Sequence, residues 1–222
     1  MSKDYSQELA KIALEIQAIK LSPTEPFTWA SGYRMPIYND NRLLLGNYQH
    51  RALIAEGFEA TIRKCDYDVE VVAGTSTAGI SPGTTLADRL HTPFIYVRDK
   101  AKGHGLRNRI EGILREGQRV VMIEDLISTG GSSIDAILGV REAGGVIDLC
   151  CSIFSYDLEE SAKQFREIHC RIEPLLKFDT LLKTAIEQNY ISAEQEKLLN
   201  EWRTNPFGWG ERHGFPRVIK EK

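Results

Sequence analysis

Leu9, Ile12, Ala13, Ile16 and Ile19 recur three and four residues apart, the spacing of one helix face, and Asp4 with Gln7 has the form of a helix-capping pair. This predicts a first helix that ends before Ser22-Pro23. The next stretch, Pro26 to Leu45, mixes aromatics with Gly and Pro and reads as extended chain and turns. A second amphipathic helix covers Tyr48 to Lys64. Beyond it the period changes. Short β-rich runs at Val69–Ala73, Phe94–Val97, Arg119–Ile123 and Val146–Phe154 alternate with helical patterns at Ile80–Leu90 and Ser132–Ala143. Such alternation predicts an α/β fold whose mostly parallel central sheet is flanked by helices on both faces. Helical patterns return at Leu181–Gln188 and Ala193–Trp202, before a polar, glycine-containing tail. The expected organisation is one domain over residues 1–222. Residues 1–47 form an N-terminal helix and hood segment, 48–180 the α/β core, and 181–222 C-terminal helices and tail.

Composition narrows the function. The chain has 222 residues, 42% of them apolar, enough for a real core. Its net charge of −3 lacks the broad cationic surface of sequence-independent nucleic-acid binding, so no nucleic-acid partner is expected and any anion site must be local. Cys65, Cys150, Cys151 and Cys170 form no C-x-x-C pair and the five histidines are scattered, which argues against a protein-held metal. Buried free thiols fit a reducing compartment, and adjacent Cys150 and Cys151 would point to opposite faces of a strand. The N-terminus carries acids early and has no long apolar core, and no stretch approaches ~20 apolar residues. A cytoplasmic protein without a membrane partner is expected.

In sheets of this kind ligands bind outside the carboxyl ends of the strands, where three unusual segments lie. The first is VVMIEDLISTGGSS, from Val120 to Ser133. An apolar strand delivers Glu124 and Asp125 to its end, and Ser128-Thr129-Gly130-Gly131-Ser132 then opens a helix. Unpaired N–H groups at the helix start, with hydroxyls of Thr129, Ser132 and Ser133, form a phosphate cradle. Two acids beside a phosphate site suit a sugar phosphate whose ring hydroxyls donate to carboxylates. Neither Gly-Lys-Ser/Thr nor G-x-G-x-x-G occurs here, which disfavours a nucleotide triphosphatase and a dinucleotide dehydrogenase.

The second segment, Arg98 to Gly112, carries Arg98, Lys100, Lys102, His104, Arg107 and Arg109 against only Asp99 and Glu111. A long cationic loop after a strand end is a candidate lid over a polyanionic leaving group. The third, Phe27 to Arg42, is aromatic, extended and suited to lie along a flat ring, with GTSTAGI (Gly74 to Ile80) as a further small-residue loop.

Val120 to Gly131 resembles the phosphoribosyl-pyrophosphate (PRPP) signature of type I phosphoribosyltransferases. Arg-x-x-x-Lys-x-His-Gly from Arg98 resembles the catalytic loop of the orotate phosphoribosyltransferases, and Phe27 to Arg42 resembles their orotate segment. The resemblance implies that Glu124 and Asp125 take the ribose hydroxyls and that Ser128 to Ser132 hold the 5′-phosphate. PRPP contacts would then run through Glu124, Asp125, Leu126, Ile127, Ser128, Thr129, Gly130, Gly131 and Ser132, with Ser128 also meeting orotate. It further implies that Arg98, Lys102 and His104 bind PRPP and, with Asp125, carry catalysis. Mg²⁺ would be held mainly by substrate and water, in a homodimer whose Arg98–Gly112 loop acts in trans. Ala30 and Ala78 stand where some members carry Lys, and Asp99 where many do; Arg34 lies close to the first of these. The expected substrates are PRPP and orotate, giving orotidine 5′-monophosphate and pyrophosphate. Two alternatives stay open: a phosphoribosyltransferase for another base, and a PRPP-binding regulator without catalysis.

Overall fold

The computed structural model describes residues 3–99 and 109–219. Helix α1 (Tyr5–Glu15) is capped by Asp4, whose carboxylate accepts from the Gln7 N–H at 3.0 Å. It ends before Gln17, which sits at φ 58 in the left-handed region, so Ile19 begins strand β1 (Ile19–Leu21) and does not extend the helix face. The hood follows as β2 (Phe27–Thr28), β3 (Arg34–Met35), β4 (Ile37–Asn39) and a 3-10 helix over Asn41–Gly46. β1 pairs with β4 and β2 with β3, both antiparallel.

The core runs α2 (Tyr48–Lys64), β5 (Val71–Thr75), α3 (Ile80–Leu90), β6 (Phe94–Val97), β7 (Ile110–Glu111), β8 (Arg119–Ile127), α4 (Gly131–Glu142), β9 (Val146–Ser155), α5 (Glu159–Glu167) and β10 (Arg171–Lys177). The strands form one sheet in the order β10-β9-β8-β5-β6-β7, parallel except for the edge strand β7. From β5 the chain crosses to β6 on one side, and from β8 it crosses to β9 on the other. The strand order therefore reverses between β5 and β8, which is where such sheets open a ligand crevice.

Alternation along the strands divides the core. Val72, Val121, Ile123, Leu149 and Cys151 pack with α1, α2, α3 and α6 (Phe178–Glu187); Val71, Ala73, Val120, Met122 and Cys150 pack with α4 and α5. Cys150 and Cys151 do face opposite ways, and both thiols are pushed up by burial.

Two core elements, α5 and β10, lie outside the ranges that the sequence predicts. α5 offers little apolar surface beyond Ala162 and Phe165, and β10 carries Pro174, which its edge position tolerates. The tail past α7 (Ala193–Thr204) also contains a short helix, α8 (Pro206–Arg212), whose Trp209 is fully buried. No helix among the described residues is long and apolar enough to cross a membrane.

Candidate active site

β8 is longer than its apolar run. It keeps pairing with β9 through Ile127, whereas its pairing with β5 stops at Ile123. Glu124 and Asp125 therefore lie inside the strand at the point where one neighbour has left, and the gap is the crevice. Two cavities meet there. A polar one of about 350 Å³ is lined by Ser76, Thr77 and Ala78 after β5, by Glu124, Asp125 and Leu126, by Ser132, and by Asn39, Asp40 and Arg42 from the hood. An apolar one of about 530 Å³ is bounded by Thr28, Trp29, Ala30, Ser31 and Tyr38 on the hood side and by Leu126, Ser128 and Tyr156 on the sheet side. Asn39 and Leu126 border both. A larger hollow of about 630 Å³, around Asp148, His169 and Glu173, lies at the opposite, amino ends of β9 and β10, away from the acids.

The two acids differ. Glu124 is buried and fully engaged. Thr75 donates its hydroxyl to Oε1 at 2.7 Å, Ser133 donates to Oε2 at 2.8 Å, and the Asp125 N–H donates to Oε1 at 3.0 Å. Ser133 and Thr75 thus face Glu124, which for Ser133 corrects the expectation that its hydroxyl serves a phosphate cradle. Asp125 is half-buried on the polar cavity. Its carbonyl accepts from Asn41 Nδ2 at 2.7 Å, and Asn41 Oδ1 in turn accepts from Asn39 at 3.0 Å. Asn41 is buried and 84 residues from its partner, and nothing in the local pattern marked it.

Gly130 precedes α4 at φ +91, and a Cβ there would lie 2.8 Å from the Phe165 ring, so glycine is required at this turn. No side chain caps the helix. Its first N–H groups are left for an anion, beside exposed Gly131 and Ser132 and half-buried Thr129. Ser76 and Thr77, joined by a cis peptide, face the same cavity. At the wall of the apolar cavity, Trp29 stacks on Tyr156 at 5.9 Å with 25° between the planes, and its indole N–H donates to Ile37 O at 2.9 Å. The walls are flat and fixed.

Two cations take other work. Arg34 donates to Pro26 O at 3.2 and 2.8 Å and lies over the Phe215 ring, so it does not stand in at Ala30. Arg42 borders the polar cavity, held by Asp40 at 2.6 Å. Of the cationic loop, Arg109 is buried and forks onto Asp135 of α4 at 3.2 and 2.5 Å, while Arg98 reaches Glu111 at 3.4 Å. The Arg98 N–H donates to Arg109 O and the Arg109 Nε–H donates to Arg98 O, both at 2.9 Å, which closes the stem. Arg109 is thus a pin at the loop's base and not a cation of its tip. Lys100, Lys102, His104 and Arg107 lie outside the described residues. No group of three or more His, Cys, Asp or Glu among the described residues is arranged to hold a metal.

The chain is 45% identical over 205 residues to an orotate phosphoribosyltransferase of Listeria innocua, an alignment covering 92% of this chain and 98% of that one. It belongs to the orotate phosphoribosyltransferase family. Among solved structures, the orotate phosphoribosyltransferase of Aeropyrum pernix superposes with a TM-score of 0.71 at 26% identity, covering 83% of this chain and 99% of that one. The UMP synthase of Leishmania donovani superposes with a TM-score of 0.76 at 28% identity over 89% of this chain, which spans 42% of that longer protein. No family model matches the chain. The fold is that of the type I phosphoribosyltransferases, so the orotate phosphoribosyltransferase resemblance of the three segments belongs to the whole chain.

In this member of the orotate phosphoribosyltransferase family, burial first, and then the carboxylate of Asp125, push Glu124 up to about 7 from the ordinary value of 4.5. The folded chain therefore binds this proton more tightly than the unfolded one. The associated stability is full below the ordinary value and is lost as pH rises through about 7. Glu124→Gln removes the buried charge while leaving an oxygen for Thr75. Without ligand it is expected to melt at least about 3 °C above the parent chain at pH 8, with the gap closing at pH 4.5. Scanning calorimetry at the two pH values checks this, and an equal gap at both would show that Glu124 is not the group that titrates.

Proposed function

We propose that this chain transfers the 5-phosphoribosyl group of PRPP to orotate, giving orotidine 5′-monophosphate and pyrophosphate, a step of UMP synthesis in the cytoplasm. The observation that carries it is the junction of the two cavities at Leu126 and Asn39, a polar one of about 350 Å³ beside a flat aromatic one of about 530 Å³. A ribosyl diphosphate in the first would present its anomeric carbon towards a planar base in the second.

In this reading Asp125 accepts from the ribose hydroxyls, with Glu124 behind it as a buried acceptor, and Leu126 and Ile127 carry the strand to the phosphate turn. Ser128 to Ser132 and the start of α4 take the 5′-phosphate. The diphosphate lies along Ser76 and Thr77, and orotate lies in the apolar cavity against the stacked Trp29 and Tyr156, with Ser128 at its edge. Few acids point into the cavity and Glu124 is already occupied, so the donors fit a hard cation held mainly by substrate and water, with Asp125 as the protein's nearest oxygen. Mg²⁺, when bound, supplies neutralisation of the diphosphate charge. The chain's own task is to align base and sugar and to balance the leaving charge, for which Arg98, Lys102 and His104 are the candidate groups. A homodimer, with residues 98–112 of each copy serving the partner's site, belongs to the same proposal and rests on the resemblance of that loop.

The test is the ultraviolet absorbance of orotate on adding PRPP and Mg²⁺, with and without the protein, beside a panel of purine and pyrimidine bases. Protein-dependent loss of the orotate band is expected. A flat orotate trace with turnover of another base would transfer the reading to that base. No turnover with any base, together with PRPP binding, would favour the regulator.

A further inference from the structure

Ala30 and Ser31, which line the apolar cavity, sit at the tip of the β2–β3 ribbon, whose strands are two residues each. So short a ribbon has little stability of its own. The tip closes through Gly32 N–H to Trp29 O at 2.8 Å and Trp29 N–H to Tyr33 O at 2.9 Å. Its outward carbonyls are met from behind by the C-terminal segment. Val218 N–H donates to Gly32 O at 2.9 Å, and the Arg217 guanidinium forks onto Ser31 O at 3.1 and 2.8 Å while lying over the Tyr33 ring at 4.3 Å.

The segment is anchored in its turn. Phe215 N–H donates to Gly210 O at 2.8 Å, and the Phe215 ring stacks on Trp209 at 6.0 Å with 19° between the planes. Trp209 is buried in the core. Gly32 itself lies at φ +85, and a Cβ there would sit 2.1 Å from the Val218 carbonyl oxygen, so the tip is shaped to receive the strap. Nothing in this contact serves the PRPP cavity, whose walls come from the loop after β5, from β8 and α4, and from Asn39, Asp40 and Arg42.

We propose that residues 215–218 form a strap that holds the base pocket in its binding shape, with Arg217 and Val218 as positioning residues for the base. The proposal rests on the assignment of orotate to the apolar cavity. A tip without the strap must be ordered each time the base binds, so the loss falls on base affinity and spares PRPP. By reciprocity, a ligand that carries the base tightens the strap, and one that lacks it does not.

The experiment uses a stop codon in place of Arg217, which keeps Phe215 on Trp209, and Arg217→Ala as a milder variant in the full chain. With the stop, KM for orotate should rise about tenfold, and KM for PRPP and kcat should stay within about twofold. Arg217→Ala should raise KM for orotate alone, by less. In the unaltered protein, orotidine 5′-monophosphate should slow trypsin cleavage after Arg217, and PRPP should not. Equal changes in both KM values, no change in either, or equal protection by the two ligands would overturn the strap. An unaltered protein that does not consume orotate at all would instead overturn the assignment of the base.

Discussion

Asp125→Asn is expected to bind PRPP about 10- to 100-fold more weakly than the parent chain, in a calorimetric titration without orotate. Both acids border the polar cavity, but Glu124 is buried while Asp125 is only half-buried, and the main chain of Asp125 is held by Asn41 on its carbonyl and by the β9 ladder on either side. The substitution therefore changes the charge without moving the strand. A carboxylate receiving sugar hydroxyls makes charge-assisted bonds, each stronger than a neutral one by roughly 1 kcal/mol or more, and an amide keeps only one accepting oxygen. Glu124 cannot compensate, because Thr75, Ser133 and the Asp125 N–H already occupy its oxygens. PRPP affinity equal to the parent's in the variant would remove the ribose hydroxyls from Asp125.

The second large effect lies beneath the base pocket. Trp202 of α7 is fully buried, directs its indole N–H to Met35 Sδ at 3.1 Å, and meets the rings of Tyr156 at 5.1 Å, Phe178 at 5.6 Å and Trp29 at 6.5 Å. Trp202→Ala opens a cavity at the centre of that cluster and is expected to cost about 3–5 kcal/mol, a fall in Tm of about 10 °C. Trp29 and Tyr156 form the walls of the apolar cavity, so surviving folded protein should also show a raised KM for orotate. Trp202→Phe, which keeps a ring edge against Tyr156, should lose less than half as much. A melt within about 2 °C of the parent for the alanine variant would show that the cluster does not hold the hood to the core.

Much of this architecture is legible in one dimension. The helix ranges Tyr48–Lys64 and Ile80–Leu90 and the strand Phe94–Val97 are observed as the pattern predicts, because each helix buries one face and the strand is an apolar run inside the sheet. The acids and the phosphate turn are legible for a similar reason: one strand, one turn and one helix start place them within a dozen residues of each other. Where that locality ends, so does the legibility. Arg109 reads as one more cation of a charged loop until Asp135, 26 residues on, is found to hold it. Ser133 reads as a phosphate hydroxyl until Glu124 is found in front of it. Trp209 sits in a tail of polar composition and is nonetheless buried in the core.

Local spacing and residue chemistry by themselves determined the alternating core, the strand end that bears two carboxylates, and the glycine turn behind it, since these depend only on neighbours along the chain. Tertiary structure alone decided which acid is buried against Thr75, that Asn41 grips the strand of Asp125, and that a C-terminal segment braces the wall of the base pocket. Each of those results from side chains and carbonyls brought together across scores of residues, and the partner of a hydrogen bond formed at such a distance is set by the packing of the sheet and its layers and by no pattern within either segment.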